Sequence, residues 1–151
     1  MLVTEIKIHK KTFDDIVVGQ TWASAARTIT ETDIVQFAGI SGDFNPLHMD
    51  AEFAKTTLFG QRIAHGLLGL SISSGLESAE NWKIMAFMSL DWKFAKPIFI
   101  GDTVHCQSVV THKKELAQKD RGIVKLERKL LNQRGEVTQE GTYTLLVERK
   151  A

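Results

Sequence analysis

Asp43-Phe44-Asn45-Pro46-Leu47-His48 puts a carboxylate, an amide and an imidazole within six residues, with a proline among them. A carboxylate and an imidazole on one rigid segment can hold a single water between them and move its protons. The imidazole contributes a group whose ordinary pKa lies near neutrality. Pro46 restricts Asn45 to extended backbone, a way of folding two side chains five residues apart onto one target. The same residues are also ordinary turn formers, since Asp and Asn ahead of a proline satisfy their own backbone. A second feature follows at Ile63-Ala64-His65-Gly66, where a helical segment opens. A helix N-terminus offers unpaired N–H groups and a dipole that favours developing negative charge. Glycine there admits close approach, so the Gly66 N–H is the expected oxyanion donor. His65 is either a further acid/base group or a residue that shapes the helix entry. Asp43, His48 and His65 also raise the question of a metal, but no helical His-x-x-x-His pair is present and the lone cysteine, Cys106, falls in a strand. No metal is expected.

These groups need elements to hold them. Residues 21–29 read as a first strand through Trp22, Ala26 and Ile29. Thr30-Glu31-Thr32-Asp33 opens a short amphipathic helix that carries Ile34, Phe37 and Ala38 and ends near Gly39. The segment from Ser41 to His48 reads as an ordered loop, and Asp50 caps a further helical turn. From Gly66 to Glu80, Leu67, Leu68, Leu70, Ile72 and Leu76 surround a helix kept thin by Gly69, Gly75 and several serines. Such a helix is expected to be buried, with a sheet close against its backbone. Four strands follow. Residues 83–94 alternate through Ile84, Ala86, Met88, Leu90, Trp92 and Phe94, and Gly101-Asp102 marks a turn. Residues 103–112, 123–131 and 137–147 complete the set, with a hairpin turn at Asn132-Gln133-Arg134-Gly135. Helices set apart from an antiparallel meander make an α+β fold.

The chain has 151 residues, enough for one domain (1–151) with a sizeable core. Its formal net charge of +1 gives no basic field for nucleic acid. The short basic clusters His9-Lys10-Lys11 and Lys113-Lys114 read as solvated surface. One cysteine cannot form an internal disulfide. No apolar run approaches membrane-helix length, and the N-terminal residues lack a signal-like apolar region. A cytoplasmic protein without nucleic-acid or membrane partners is expected.

The Asp-x-Asn-Pro-x-His block from Asp43 to His48, followed by His65-Gly66 and a Gly/Ser-rich helix, resembles the MaoC-like (R)-specific enoyl-CoA hydratases of the hotdog fold. Lys96-Pro97 and Gly101-Asp102-Thr103-Val104 add weaker support, and the resemblance runs from about residue 20 to the C-terminus. It implies a single hotdog domain, an antiparallel sheet wrapped around a long central helix. It also implies reversible syn hydration of trans-2-enoyl-CoA to (3R)-hydroxyacyl-CoA, with Asp43 and His48 as the catalytic pair. Asn45 would orient the water or the loop, and Ser74 would bond the catalytic aspartate, with Ser71 and Ser73 as alternatives. No cofactor is expected, because CoA belongs to the substrate, and a homodimer is the implied assembly. Glu77 departs from the pattern, standing where an apolar acyl pocket takes an aliphatic residue, so the acyl chain stays open. Related functions stay open as well: an acyl-carrier-protein dehydratase, a non-catalytic acyl-CoA-binding protein, or a thioesterase.

Overall fold

The structure is a computed structural model and describes residues 10–76 and 81–150. A short 3-10 turn at Phe13–Asp15 precedes two brief strands, β1 (Thr21–Ala23) and β2 (Arg27–Thr28). The single strand expected over 21–29 is therefore broken in two, and both pieces pair with the same neighbour. Helix α1 spans Glu31–Ser41, with Thr30 and Asp33 forming a reciprocal capping box. It runs past Gly39 and stops at Gly42, whose φ of 77° gives the left-handed turn that ends a helix. Next come α2 (Pro46–Met49), α3 (Ala51–Lys55) and α4 (Gly66–Leu76). Asp50 caps α3 through the N–H groups of Glu52 and Phe53, as expected.

The sheet is built by β3 (Ile84–Phe94), β4 (Thr103–Glu115), β5 (Arg121–Leu131) and β6 (Val137–Glu148). Its order is β1-β4-β5-β6-β3, with every pair antiparallel. Strands β4, β5 and β6 follow one another, while β3 crosses to the far edge and pairs with β6. On β4 the buried residues are Val104, Cys106, Ser108 and Val110, the parity that alternation predicts. On β5 they include Val124, Leu126 and Leu130. The α+β architecture of a sheet curved around one helix is the hotdog arrangement.

Helix α4 meets the sheet through Leu68, Gly69, Ile72 and Ser73. Leu68 and Ile72 join Ile34, Ile98, Val104, Cys106 and Leu130 in one core cluster. Each fully buried Leu or Ile there contributes roughly 1.5–3 kcal/mol. Gly69 is required by this packing, because a Cβ there would overlap Gln139 Nε2 and lie 2.8 Å from Ile98 Cδ1. The opposite face of α4 stays open in the single chain, where Leu67 is 58% exposed. Edge strand β3 is open too, presenting Met85, Phe87, Met88, Leu90 and Phe94 to the outside. Its alternation does not hold along its length. Register shifts between Ile84 and Ala86, and between Phe87 and Ser89, change which side chains turn inward.

Candidate active site

Chain geometry before the site is set by Gly42, which turns the backbone out of α1. The Asp43 carboxylate then accepts from the Asn45 N–H at 3.1 Å, and the Asn45 side chain accepts from the Leu47 N–H at 2.9 Å. Asn45 is thus the N-cap of α2, and Pro46 occupies the first helical position, where a missing N–H costs nothing. The segment read as a loop is therefore a turn followed by a one-turn helix that carries His48. Asn45 acts on this loop by capping it.

His48 is half-buried, and its Nδ1 lies 2.8 Å from the Ile63 carbonyl. A carbonyl only accepts, so Nδ1 carries the proton and Nε2 presents its lone pair. His65 repeats the logic, with Nε2 donating to the Asp43 carbonyl at 2.9 Å. The two imidazoles stack with centroids 3.9 Å apart and planes 29° from parallel, and the Phe37 ring backs His65 at 5.0 Å. His65 is 2% exposed, and its Nδ1 has no hydrogen-bond partner among the described residues. It therefore serves as a strut. It ties the Asp43 backbone to the residue before Gly66 and supports the His48 ring from beneath.

Asp43, His48 and His65 offer ligand atoms within 4.8 Å of one another. Two stacked imidazoles hold their in-plane lone pairs in nearly parallel planes. A shared ion needs those lone pairs to converge, as in tetrahedral zinc sites.

Gly66, the first residue of α4, shares a cleft of about 340 Å³ with His48. Phe59, Phe94, Ile98 and Gln139 complete much of its wall. Among the described residues the Gly66 N–H has no backbone acceptor. A Cβ at Gly66 would sit 2.9 Å from the Phe94 ring, so only glycine lets that ring cover the helix start. The structure thus gathers Asp43, Asn45, His48 and Gly66 into one region. Lys96 stands at the same cleft and pairs with Glu136 at 2.8 Å. Hydrogen bonds from Asn132, Lys96 and Arg134 hold the Glu136 carboxyl at about 2, well below its ordinary value.

Ser74 departs from its expected role within one chain. Its hydroxyl lies 3.1 Å from the Tyr143 hydroxyl, not against Asp43, because Ser74 and Tyr143 face each other between helix and sheet. The alternatives are also engaged elsewhere: Ser71 donates to the Leu67 carbonyl, and Ser73 lies 3.4 Å from the Cys106 thiol. Glu77 lies outside the described residues. Sequence reasoning missed Gln139, Trp92, Phe59 and Phe94. A polar Gln139 in step with Tyr143, Leu145 and Val147 on β6 was the available signal.

A match to the family described as MaoC like domain covers residues 15–130. The (R)-specific enoyl-CoA hydratase of Rhodospirillum rubrum is 44% identical over 100 residues, covering 66% of this chain and 69% of that protein. The (R)-specific enoyl-CoA hydratase of Aeromonas caviae is 34% identical over 125 residues, covering 82% and 90%. Among solved structures, one described as a monoamine oxidase regulatory protein from Archaeoglobus superposes with a TM-score of 0.89 at 36% identity, covering 95% of this chain and 97% of its own. The Asp43-to-His48 turn, the strut at His65 and the Gly66 helix start thus sit in a chain that belongs to the MaoC-like domain family.

Proposed function

We propose that this protein is an (R)-specific hydratase/dehydratase that interconverts trans-2-enoyl-CoA and (3R)-hydroxyacyl-CoA. One observation carries the reading: His65 links the Asp43 turn to the start of α4, so the acid/base pair and the Gly66 N–H belong to one rigid unit. Hydration needs both parts. In the forward direction Asp43 and His48 hold the water, and one of them takes its proton as oxygen bonds to the β-carbon. The π electrons move toward the thioester oxygen, where the Gly66 N–H and the α4 dipole stabilise the enolate. A proton delivered to the α-carbon from the same pair completes the addition. His48 suits proton exchange because its Nε2 lone pair is free of the Ile63 contact that fixes Nδ1. No cofactor enters these steps, since CoA is part of the substrate. The names of the R. rubrum and A. caviae relatives support the substrate class and the stereochemistry.

A homodimer is part of the proposal. The apolar edge of β3 and the uncovered Leu67 side of α4 leave association surfaces that a second copy can cover. No helix among the described residues is long and apolar enough to cross a membrane.

Crotonyl-CoA tests the reading. Loss of the conjugated-enoyl absorbance without thiol release is the expected result. Thiol release would mean a thioesterase, and binding with neither change would mean a silent binder. Parallel assays with the acyl-carrier-protein thioester decide the carrier, and an R- or S-specific dehydrogenase reads the product's chirality. Asp43→Asn and His48→Gln should each lower kcat by about 10²–10⁴-fold in folded protein. Near wild-type rates in both variants would remove the pair from the mechanism.

A further inference from the structure

Gln139 is 2% exposed and lies on the inward side of β6. Its Nε2 donates to the Gly66 carbonyl at 3.0 Å, and its Oε1 accepts from the Trp92 indole N–H at 2.9 Å. These partners leave one orientation for the amide. An indole N–H only donates and a carbonyl only accepts, so a flipped amide would lose both bonds. Room for the arrangement comes from two glycines. A Cβ at Gly141 would meet the Asp91 carbonyl and lie 2.7 Å from the Trp92 indole, and a Cβ at Gly69 would overlap the Gln139 amide itself. On β3 the partner of Gln139 is Phe94, the ring that covers Gly66.

Gly66 has no side chain to anchor its own backbone, and glycine is the residue with the widest conformational freedom. Its orientation therefore depends on its neighbours. On the N-terminal side His65 is pinned through its ring to the Asp43 carbonyl. On the C-terminal side the Gly66 carbonyl is pinned by Gln139. We propose that Gln139, held by Trp92, is a positioning residue that fixes the Gly66 N–H for oxyanion stabilisation. Gln139 acts through the backbone and takes no part in proton transfer. The inference rests on the reading of Gly66 as oxyanion donor in a hydratase. It adds a part of the machinery carried by β6 and edge strand β3, far in sequence from Asp43 and His48.

The test compares wild type, Gln139→Leu and Trp92→Phe as full-length protein, with crotonyl-CoA as substrate and the Gly66 amide resonance as a second readout. Full loss of one oxyanion donor costs about 10²–10³-fold in kcat, so a misaligned donor in Gln139→Leu should cost about tenfold or more. KM should stay within about threefold and the shape of the pH profile should not change, because Asp43 and His48 keep their contacts. The Gly66 amide resonance should shift and its hydrogen exchange accelerate. Trp92→Phe, which removes the indole N–H together with part of the ring, should show the same pattern, and it carries the test if Gln139→Leu fails to fold. A folded variant with kcat within twofold of wild type overturns the proposal. So does a loss of activity with an unmoved Gly66 resonance. If wild type turns over no enoyl-CoA, the hydratase reading fails instead. The resonance then still reports whether Gln139 holds Gly66, and an unmoved signal overturns that too.

Discussion

Replacing Gly69 by alanine sets two physical effects against each other. Alanine is favoured over glycine inside a helix by about 1 kcal/mol, so helix propensity alone predicts a more stable protein. Packing predicts the opposite. The added Cβ would overlap Gln139 Nε2 and approach Ile98 Cδ1 to 2.8 Å. Overpacking of this kind costs about 1–3 kcal/mol. The amide can yield only by giving up its bonds to the Gly66 carbonyl and the Trp92 indole. Each such bond contributes about 1 kcal/mol net, and the loss leaves buried groups unpaired. The sum is a net destabilisation of about 2–4 kcal/mol after the propensity gain is subtracted. For a chain of this length that lowers Tm by about 4–16 °C. Gly39→Ala is the matched control, since Gly39 lies in α1 and an added Cβ there meets nothing within 4 Å. It should gain up to about 1 kcal/mol. Urea denaturation monitored by circular dichroism separates the two, with unchanged slopes showing that only stability moved. If both variants gain stability by similar amounts, the close approach of α4 to β6 is wrong, and with it the anchoring of Gly66.

Three further outcomes are expected. The Glu136 carboxyl is held down to about 2 by Asn132, Lys96 and Arg134, so its contribution to stability is complete above the ordinary value of 4.5 and fades as pH falls from there toward 2. The Tm difference between wild type and Glu136→Gln should shrink across that window, and a pH-independent difference would contradict the assignment. Met88→Lys on the open edge of β3 should shift sedimentation equilibrium toward monomer, and an unchanged assembly would place the interface elsewhere. Tyr143→Phe removes the bond to Ser74 while keeping the ring against Trp92, so urea denaturation should show a loss of only about 0.5–1.5 kcal/mol, and a larger loss would point to a wider role for the hydroxyl.

The parts of the site that sequence made legible are those written in neighbouring residues. Pro46 and Asn45 declare a turn, and the turn delivers His48 next to Asp43, although the one-turn helix that Asn45 caps was read as loop. Gly66 declares a helix start through the composition that follows it. The capping box of α1 and the parity of β4 were readable for the same reason, because each depends on spacings of two to four residues. The relation of Gln139 to Gly66 spans 73 positions and passes through Trp92. No local pattern carries a bond of that range, although a polar side chain on an apolar stripe hinted at it. The phase of β3 was misread because two register shifts interrupt its alternation. The partner of Ser74 escaped for another reason: the spacing from Gly66 places it on a face of α4 without saying what stands opposite.

The crossing of β3 to the far edge of the sheet also has a cost during synthesis. β3 leaves the ribosome before β4, β5 and β6, yet its partner in the sheet is β6, the furthest of the three along the chain. Roughly fifty residues separate the two, a few seconds at about 5–20 residues per second. Through that interval an eleven-residue strand rich in Phe, Met and Leu waits without a partner. Contacts this far apart in sequence form late and slowly. The nascent chain is therefore most open to misassociation before β6 emerges, and truncation ahead of β6 would leave β3 stranded while removing Gln139 from the site.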